Sequence, residues 1–449
     1  MTTTLLHTTD SSAGTSAARL AALLRPFLGD PLPVRIRSWD GSESGPADAP
    51  TVVLRSRRAL RRLLWYPGEL GLAEAYIAGE LDIEGDLGEG LSRIWRTVRE
   101  RGEAPALTLG DRVRAAALAA RLGAIGPRPT PPAGRAALSG ALHSKARDRA
   151  AIHHHYDLSN DFYALLLDPS MAYSSAYWTS DKPDYGLADA QRDKLDLICR
   201  KLGLVPGARL LDIGCGWGSL TLHAARHYGA KVTAVTLSAQ QHAYVTARAA
   251  GLGLDGQVAV HLRDYRDITE NGFDAVSTVE MGEHVGEDQY PAFAQVLHDR
   301  LRPEGRLLVQ QMSRRRRAPG GGAFIETYIA PDMHMRPVGE TAALIEDAGL
   351  EVRQVEAMRE HYVRTCAAWR DTLEQRWDEF SALVGEETAR VWRLYLVGGA
   401  LAFQERRMGV DQILAVRPTA DGVSGAPATP LSWYGSDASY GAEAGQRQG

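Results

Sequence analysis

The sequence predicts an α/β protein: a doubly wound parallel sheet with helices on both faces, joined to a smaller α+β region on its N-terminal side. Three observations predict it. Apolar strand-like runs alternate with amphipathic helical stretches from about residue 208 onward. The first of these runs leads directly into an alternate-glycine loop, Leu211-Asp212-Ile213-Gly214-Cys215-Gly216-Trp217-Gly218. A Pro/Gly stretch, IGPRPTPPAG at 125–134, separates this region from the one before it.

Each element follows in order. Residues 1–16 are rich in Thr and Ser and are expected to be disordered. A first folded region spans 17–101. In it, LAALLRPFLGD reads as a helix, and Thr51 to Ser56 as a strand entering RRALRRLLWYPG. LGLAEAYIAGELDIEGDL starts as a helix and is broken by glycines. Residues 102–143 form a linker with one short Ala/Arg-rich helix. The second, larger region spans 144–418. Its strands are expected at 208–214, at 231–238, in QVAVHLRDY, in FDAVSTVEM and at 305–313, with EVRQVEAM and DQILAVRP as a closing pair. Residues 419–449 are rich in Gly, Ser and Ala and read as a disordered tail.

Composition limits the function. The chain has 449 residues, enough for two domains. Its formal net charge is −4, which excludes nucleic-acid binding through bulk charge. Cys199, Cys215 and Cys366 lie far apart, with no CxxC pair. A disulfide framework and a cysteine zinc site are thereby excluded, and a reducing, cytoplasmic setting fits. No apolar run reaches the ~18 residues of a membrane span, and the N-terminus has no basic segment leading an apolar core. His153, His154 and His155 are consecutive, so regular structure cannot turn all three to one ion, and no metal site is expected.

Ligands of doubly wound sheets sit at the carboxyl ends of the strands, so the chemistry is sought there. The first loop has the spacing GxGxG, not the GxGxxG of dinucleotide folds nor the GxxxxGK of a P-loop. With Asp212 at the strand end, it reads as the S-adenosylmethionine loop of class I methyltransferases; a plain glycine turn is the alternative. The second strand ends in Thr236-Leu237-Ser238, with Gln241 close behind, where an acid usually holds the ribose. Neutral hydroxyl and amide groups would serve instead. Asp264 and Tyr265 follow the third strand, placed to bind the adenine amino group and to stack on its face. After the fourth strand come Glu280-Met281-Gly282-Glu283-His284-Val285-Gly286. Two carboxylates and a His beside a cofactor are acid/base candidates, Glu283 before the others. Acids stabilising a helix N-terminus are the alternative.

Together these motifs resemble the cyclopropane-fatty-acyl-phospholipid synthase family. Its HYDLsNDFY, LDP-MaYSsAYW, LDIGCGWG, VTLSxxQ, DYRD and EHVG motifs are matched at 155–163, 167–178, 211–218, 235–241, 264–267 and 283–286. Leu70 to Gly79 resembles the family's LGLgEaYmdG segment, and 399–416 its closing helix and strand. The resemblance covers about residues 50–418. It implies a Rossmann-like methyltransferase sheet and an N-terminal domain associated with lipid. It also implies transfer of one carbon from S-adenosylmethionine to the cis double bond of an acyl chain on a membrane phospholipid, at the inner face of the membrane. It admits a homodimer and, downstream, a reductase. Cofactor contacts are carried onto Tyr156, Ser174, Asp212, Gly214, Gly216, Gly218, Thr236, Leu237, Ser238, Gln241, Asp264 and Tyr265.

Attack of the alkene leaves a cation on the chain, which aromatic faces such as Tyr156, Tyr173, Tyr177 and Trp178 would stabilise. A base then takes a proton. Loss from the added methyl closes a cyclopropane; without ring closure the product is a methylene or other alkene. The family holds a bicarbonate ion, as base, between a Cys, the Glu of EHVG, a His and a Tyr. Here Glu283 and Tyr362 match, while Ser175 and Gln310 stand at the Cys and His positions. The catalytic set is therefore Glu283, Tyr362, Ser175, Gln310 and His284. Bicarbonate would be held weakly, and a 10-methylene product joins the cyclopropane as an expectation.

Two basic clusters suit a lipid surface. Arg55, Arg57, Arg58, Arg61 and Arg62 precede Leu63-Leu64-Trp65-Tyr66, an interfacial pattern, with a solvated helix face as the alternative. Arg314 to Arg317 follow the fifth strand and are placed to grip a phosphate or to form a plain surface loop.

Overall fold

The computed structural model describes residues 14–101, 108–136, 138–156, 159–315 and 320–434. They divide into two compact units. One takes the chain up to Arg135 together with Trp377–Leu401; the other takes Ala136–Arg376 and the chain from Ala402 onward. The disorder expected over 1–13 lies outside the described residues. Thr15 is ordered: its side chain accepts from the Ala18 N–H (3.3 Å) and caps the helix Ser16–Leu28.

In the first unit, strands β1 (Arg35–Arg37), β2 (Glu43–Ser44), β3 (Thr51–Leu54) and β4 (Leu81–Glu84) form a sheet in the order β2-β1-β3-β4. β1 and β3 run parallel and the other pairs antiparallel. Its core combines Leu20, Ile36, Leu54 and Tyr76 with Val397 and Leu401. The sequence assigned 377–401 to the larger region. The apolar face that carries Val397 and Leu401 packs here instead.

The helix Arg57–Trp65 corrects the lipid-facing reading of one arginine. Ala59 and Arg62 are its buried residues, and Arg62 is 2% exposed. Its guanidinium donates to both Glu80 oxygens (2.8 and 3.2 Å), to Glu74 (3.4 Å) and to the Thr130 carbonyl (2.9 Å). Two buried carboxylates hold it inward, because an ionised group out of water requires charged partners. Arg57, Arg58, Leu64 and Trp65 remain exposed.

The second unit carries strands β5 (Arg209–Ile213), β6 (Lys231–Thr236), β7 (Val258–Leu262), β8 (Phe273–Val279), β9 (Leu301–Ser313), β10 (Glu351–Ala357) and β11 (Gly409–Val416). Their order is β10-β11-β9-β8-β5-β6-β7. β5 to β9 pair parallel, as the alternation with helices requires. β11 departs from the all-parallel expectation: it inserts antiparallel between β9 and β10. Side chains alternate between two cores. Leu210, Val232, Ala275 and Leu308 pack on one face, and Leu211, Val235, Val276 and Val309 on the other.

The tail expected to be disordered from 419 is ordered through Tyr434. Trp433 packs with Leu197 and Leu414, its carbonyl accepts from Arg200 (2.6 Å), and the Tyr434 hydroxyl donates to Glu356 (2.9 Å). A buried indole anchors a stretch whose composition alone reads as loose.

Candidate functional site

β5 lies between β6 and β8, so the chain leaves it where the strand order reverses, and a crevice opens there. A cavity of about 150 Å³ fills that crevice, lined by the ends of β5, β6 and β8.

The glycine loop forms its floor. The Gly214 and Cys215 N–H groups both donate to the Val235 carbonyl (3.0 and 3.1 Å), pinning the loop to β6. Gly216 lines the cavity at φ +54°, and a Cβ added there would meet nothing within 4 Å. At Gly218 (φ +78°) an added Cβ would strike Val245 at 2.7 Å, and at Gly214 it would touch Met281 at 3.0 Å. Gly216 thus keeps the backbone open to a ligand, while Gly218 admits a close helix contact.

Asp212 lines the cavity and is buried. Its oxygens accept from Thr221 (2.7 Å) and Ser277 (2.9 Å), and burial raises its pKa. Thr236, Leu237 and Gln241 line the cavity beside it. Thr236 donates to Gln241 Oε1 (2.7 Å), while buried Gln241 Nε2 has no hydrogen-bond partner among the described residues. A buried amide N–H left unmet beside a cavity suits the hydroxyl of a bound ligand. Ser238 does not line the cavity; it caps the next helix by accepting from the Gln241 N–H (3.3 Å). Asp264 and Tyr265 line the cavity too, but Arg266 already holds both Asp264 oxygens (2.8 and 2.6 Å). That ion pair leaves Asp264 its remaining lone pairs for a ligand N–H. Ser174 lines the cavity and accepts from the fully buried Lys194 ammonium (2.7 Å), whose pKa burial pulls down to about 8. The side chains of residues 153–156, Tyr156 among them, lie outside the described residues.

The other end of the cavity holds the carboxylate that the sequence ranked behind Glu283. Glu280 follows β8 directly, lines the cavity and has φ +52°, unusual for a non-glycine residue. Its N–H donates to the Gln310 carbonyl (2.6 Å). Its Oε1 accepts from the Ser175 N–H (2.8 Å) and Gln310 Nε2 (2.9 Å), and its Oε2 from the Tyr362 hydroxyl (2.6 Å). Ser175, Gln310 and Tyr362 therefore converge, as expected of neighbours, but on Glu280 rather than Glu283. Ser175 contributes its backbone, since its hydroxyl donates to the Ala176 carbonyl (3.2 Å).

A relay fixes which end of Gln310 faces Glu280. Lys201 only donates, and it donates to Gln412 Oε1 (2.8 Å). Gln412 Nε2 then donates to Gln310 Oε1 (3.0 Å), leaving Gln310 Nε2 for the carboxylate.

Glu283 stands apart. It is fully buried and outside the cavity lining. Its oxygens face the Met312 and Glu283 backbone amides without closing an aligned hydrogen bond. Burial, then the neighbouring Glu280 charge, pushes its pKa up to about 8, so it is mostly protonated at neutral pH. His284 lines the cavity as a neutral imidazole, its pKa pulled to about 4 by its enclosed position and by His143.

A run of aromatic rings spans the same region. Trp217 meets Tyr163 (4.2 Å), Tyr163 meets Tyr173 (5.6 Å), and Tyr173 meets Trp369 (5.3 Å). Trp369 then meets Tyr362 (6.2 Å). Tyr173 lines the cavity. Tyr177 and Trp178, expected there, are not in the lining: Tyr177 donates to Glu356 (2.9 Å) and Trp178 to Thr365 (3.1 Å). Both satisfy a polar ring atom elsewhere, as buried amphipathic aromatics do. Of the second basic cluster, Arg314 donates to the Gly320 carbonyl, and residues 316–317 lie outside the described residues.

Three comparisons bear on this site. The family model described as mycolic acid cyclopropane synthetase matches residues 143–413. A probable fatty acid methyltransferase of Mycobacterium tuberculosis is 38% identical over 409 residues, 90% of this chain and 95% of the relative. The cyclopropane-fatty-acyl-phospholipid synthase of Escherichia coli is 35% identical over 282 residues, 63% of this chain and 72% of that one. Among solved structures, a mycolic acid cyclopropane synthase complexed with S-adenosylhomocysteine (SAH) and CTAB aligns at TM-score 0.56. It is 31% identical and covers 60% of this chain and 97% of its own.

Proposed function

The chain belongs to the mycolic acid cyclopropane synthetase family, and from that premise we propose that it adds one carbon to the cis double bond of an unsaturated acyl chain on a membrane phospholipid. It is an S-adenosylmethionine-dependent methyltransferase of fatty acyl chains. A single cavity that runs from the glycine loop to a carboxylate past aromatic rings carries the finer reading.

The loop residues fit the methyl donor. Gly216 leaves backbone space, and Gln241 Nε2 offers an unmet donor to a ribose hydroxyl. When bound, the donor supplies an electrophilic sulfonium methyl. The chain's own groups do the rest. The cavity holds the alkene in line and excludes water, which a weak nucleophile requires. The Tyr173 face lies beside the cation that forms on the acyl chain. A base then removes a proton. Loss from the added methyl, with closure of a carbon–carbon bond, gives a cyclopropane. A hydride shift along the chain before that loss gives a 10-methylene chain instead. The methylene reading stays as a second one because the groups at the base differ from those of ring-closing relatives at Ser175 and Gln310.

Among the described residues no helix is long and apolar enough to cross a membrane. The proposed route to the lipid is a surface one, through the exposed Arg57, Arg58, Leu64 and Trp65. Expression in a host that makes monounsaturated phospholipids tests the reading. Mass spectrometry should show acyl chains heavier by one CH2, and unchanged lipids would refute it.

A further inference from the structure

We propose that the Glu280 carboxylate is the base of the reaction and occupies the place a bicarbonate ion would take, so that turnover needs no added ion. This inference rests on the acyl-chain reading above.

The donors available to an anion at this end of the cavity are already engaged. The Ser175 N–H, Gln310 Nε2 and the Tyr362 hydroxyl all close on Glu280, at 2.6–2.9 Å. A bicarbonate ion would have to displace a covalently tethered carboxylate from all three. It would also enter beside an existing negative charge, in an enclosed space where repulsion is strong. The residues present do not fit the ion; they fit Glu280.

The surroundings aim Glu280 and hydrogen-bond its ionised form. Burial raises its pKa, and the three donors and the Lys194 ammonium oppose the rise. The facing titratable groups are Glu283 on the same segment, Lys194 on the helix Leu187–Leu202, and Tyr362 and Cys366 on the helix Arg359–Gln375. Glu283 has no such donors and its pKa is pushed up to about 8, so Glu280 is the carboxyl of the pair whose charge is met by hydrogen-bond donors. Asp212 and Asp264 face the cavity at the glycine-loop end and are bound by hydroxyls and by Arg266. The left-handed backbone at Glu280 turns the side chain back from the end of β8 toward those donors. Strain of about 1–3 kcal/mol at such a position persists where the surroundings hold it.

The step balances. The alkene π pair forms the bond to the donated methyl carbon as the carbon–sulfur bond breaks. Glu280 then takes a proton from that methyl, and the released C–H pair closes the ring. The proton rests on a Glu280 oxygen and passes to water with the product. No oxidant or further reactant enters.

Wild type, Glu280→Gln and Glu280→Gly are to be assayed on dioleoyl phosphatidylglycerol vesicles, in carbon-dioxide-stripped buffer and with added bicarbonate or formate. Calorimetry with S-adenosylmethionine accompanies each. The wild-type rate should not respond to bicarbonate. Both variants should bind the donor like wild type and lose turnover by ~10²–10⁴-fold. Bicarbonate or formate should restore turnover to Glu280→Gly, where space is opened, and not to Glu280→Gln, whose amide fills it. A wild type strongly stimulated by bicarbonate, or a Glu280→Gln near the wild-type rate, overturns the inference alone. A wild type that binds the donor but yields no altered lipid refutes the acyl-chain reading and the base role with it.

Discussion

Removing the Tyr362 hydroxyl should move the acid limb of the rate profile without removing the base. The Tyr362 hydroxyl donates to Glu280 Oε2 at 2.6 Å, a short bond of the charge-assisted kind. A hydrogen bond to a charged group contributes about 1.5–3 kcal/mol. At about 1.4 kcal/mol per pKa unit, its loss raises the Glu280 pKa by about one to two units. The sign follows from the protonation state required. The base works ionised, so turnover is full above its pKa and falls as pH drops through it; a raised pKa moves that fall to higher pH. Tyr362→Phe keeps the ring that stacks on Phe403 at 4.4 Å and meets Trp369 edge-on, so the local packing survives. The assay is transfer of radiolabelled methyl to oleoyl phospholipid vesicles across a pH series, at saturating donor. The acid limb should shift upward by about that amount, with the rate approaching wild type on the alkaline side. A uniform loss at every pH, with the limb in place, would refute the role given to this bond.

Further outcomes follow from the same geometry. Gly216→Val should abolish S-adenosylmethionine binding in calorimetry on folded protein, because its Cβ enters the open cavity; unchanged affinity would remove the loop from the site. Ser175→Ala should turn over nearly as wild type, since the backbone N–H makes the bond to Glu280; a large loss would show that the hydroxyl matters. Arg62→Met should lower stability in denaturant titration, by less than the ~3–5 kcal/mol of an uncompensated buried charge, because Arg135 and Arg58 still face Glu74 and Glu80; a neutral result would contradict the buried ion pair. Replacing Arg57 and Arg58 by Gln should weaken sedimentation with anionic vesicles by about 1 kcal/mol per residue, the more so at low salt, and equal binding would sink the surface route.

Much of this was legible in the sequence, and the misses have physical causes. The strand-glycine-helix order around 208–229 is local, so periodicity and turn chemistry place it. The cofactor end follows, because strand ends in such sheets point at the ligand. Glu280 lay within the same motif as Glu283, one residue past β8. Spacing alone cannot show that a left-handed backbone turns it into the cavity while Glu283 faces the interior. An acid at the very end of a strand beside the glycine loop was the available signal. In the arginine cluster, Ala59 and Arg62 mark the inward stripe of a helix, but only the partners Glu74 and Glu80, twelve and eighteen residues on, make an inward arginine stable. β11 depends on pairing with β9 about a hundred residues earlier, and Trp433 on contact with Arg200, 233 residues earlier, which no local pattern records.

The most direct measurement is 13C NMR of lipid from purified protein given methyl-13C S-adenosylmethionine and dioleoyl phosphatidylglycerol vesicles in bicarbonate-stripped buffer. The expected result is label in a cyclopropane or methylene carbon on the acyl chain, formed at the same rate when bicarbonate is restored. Unlabelled lipid, or label that appears only with bicarbonate, would contradict it.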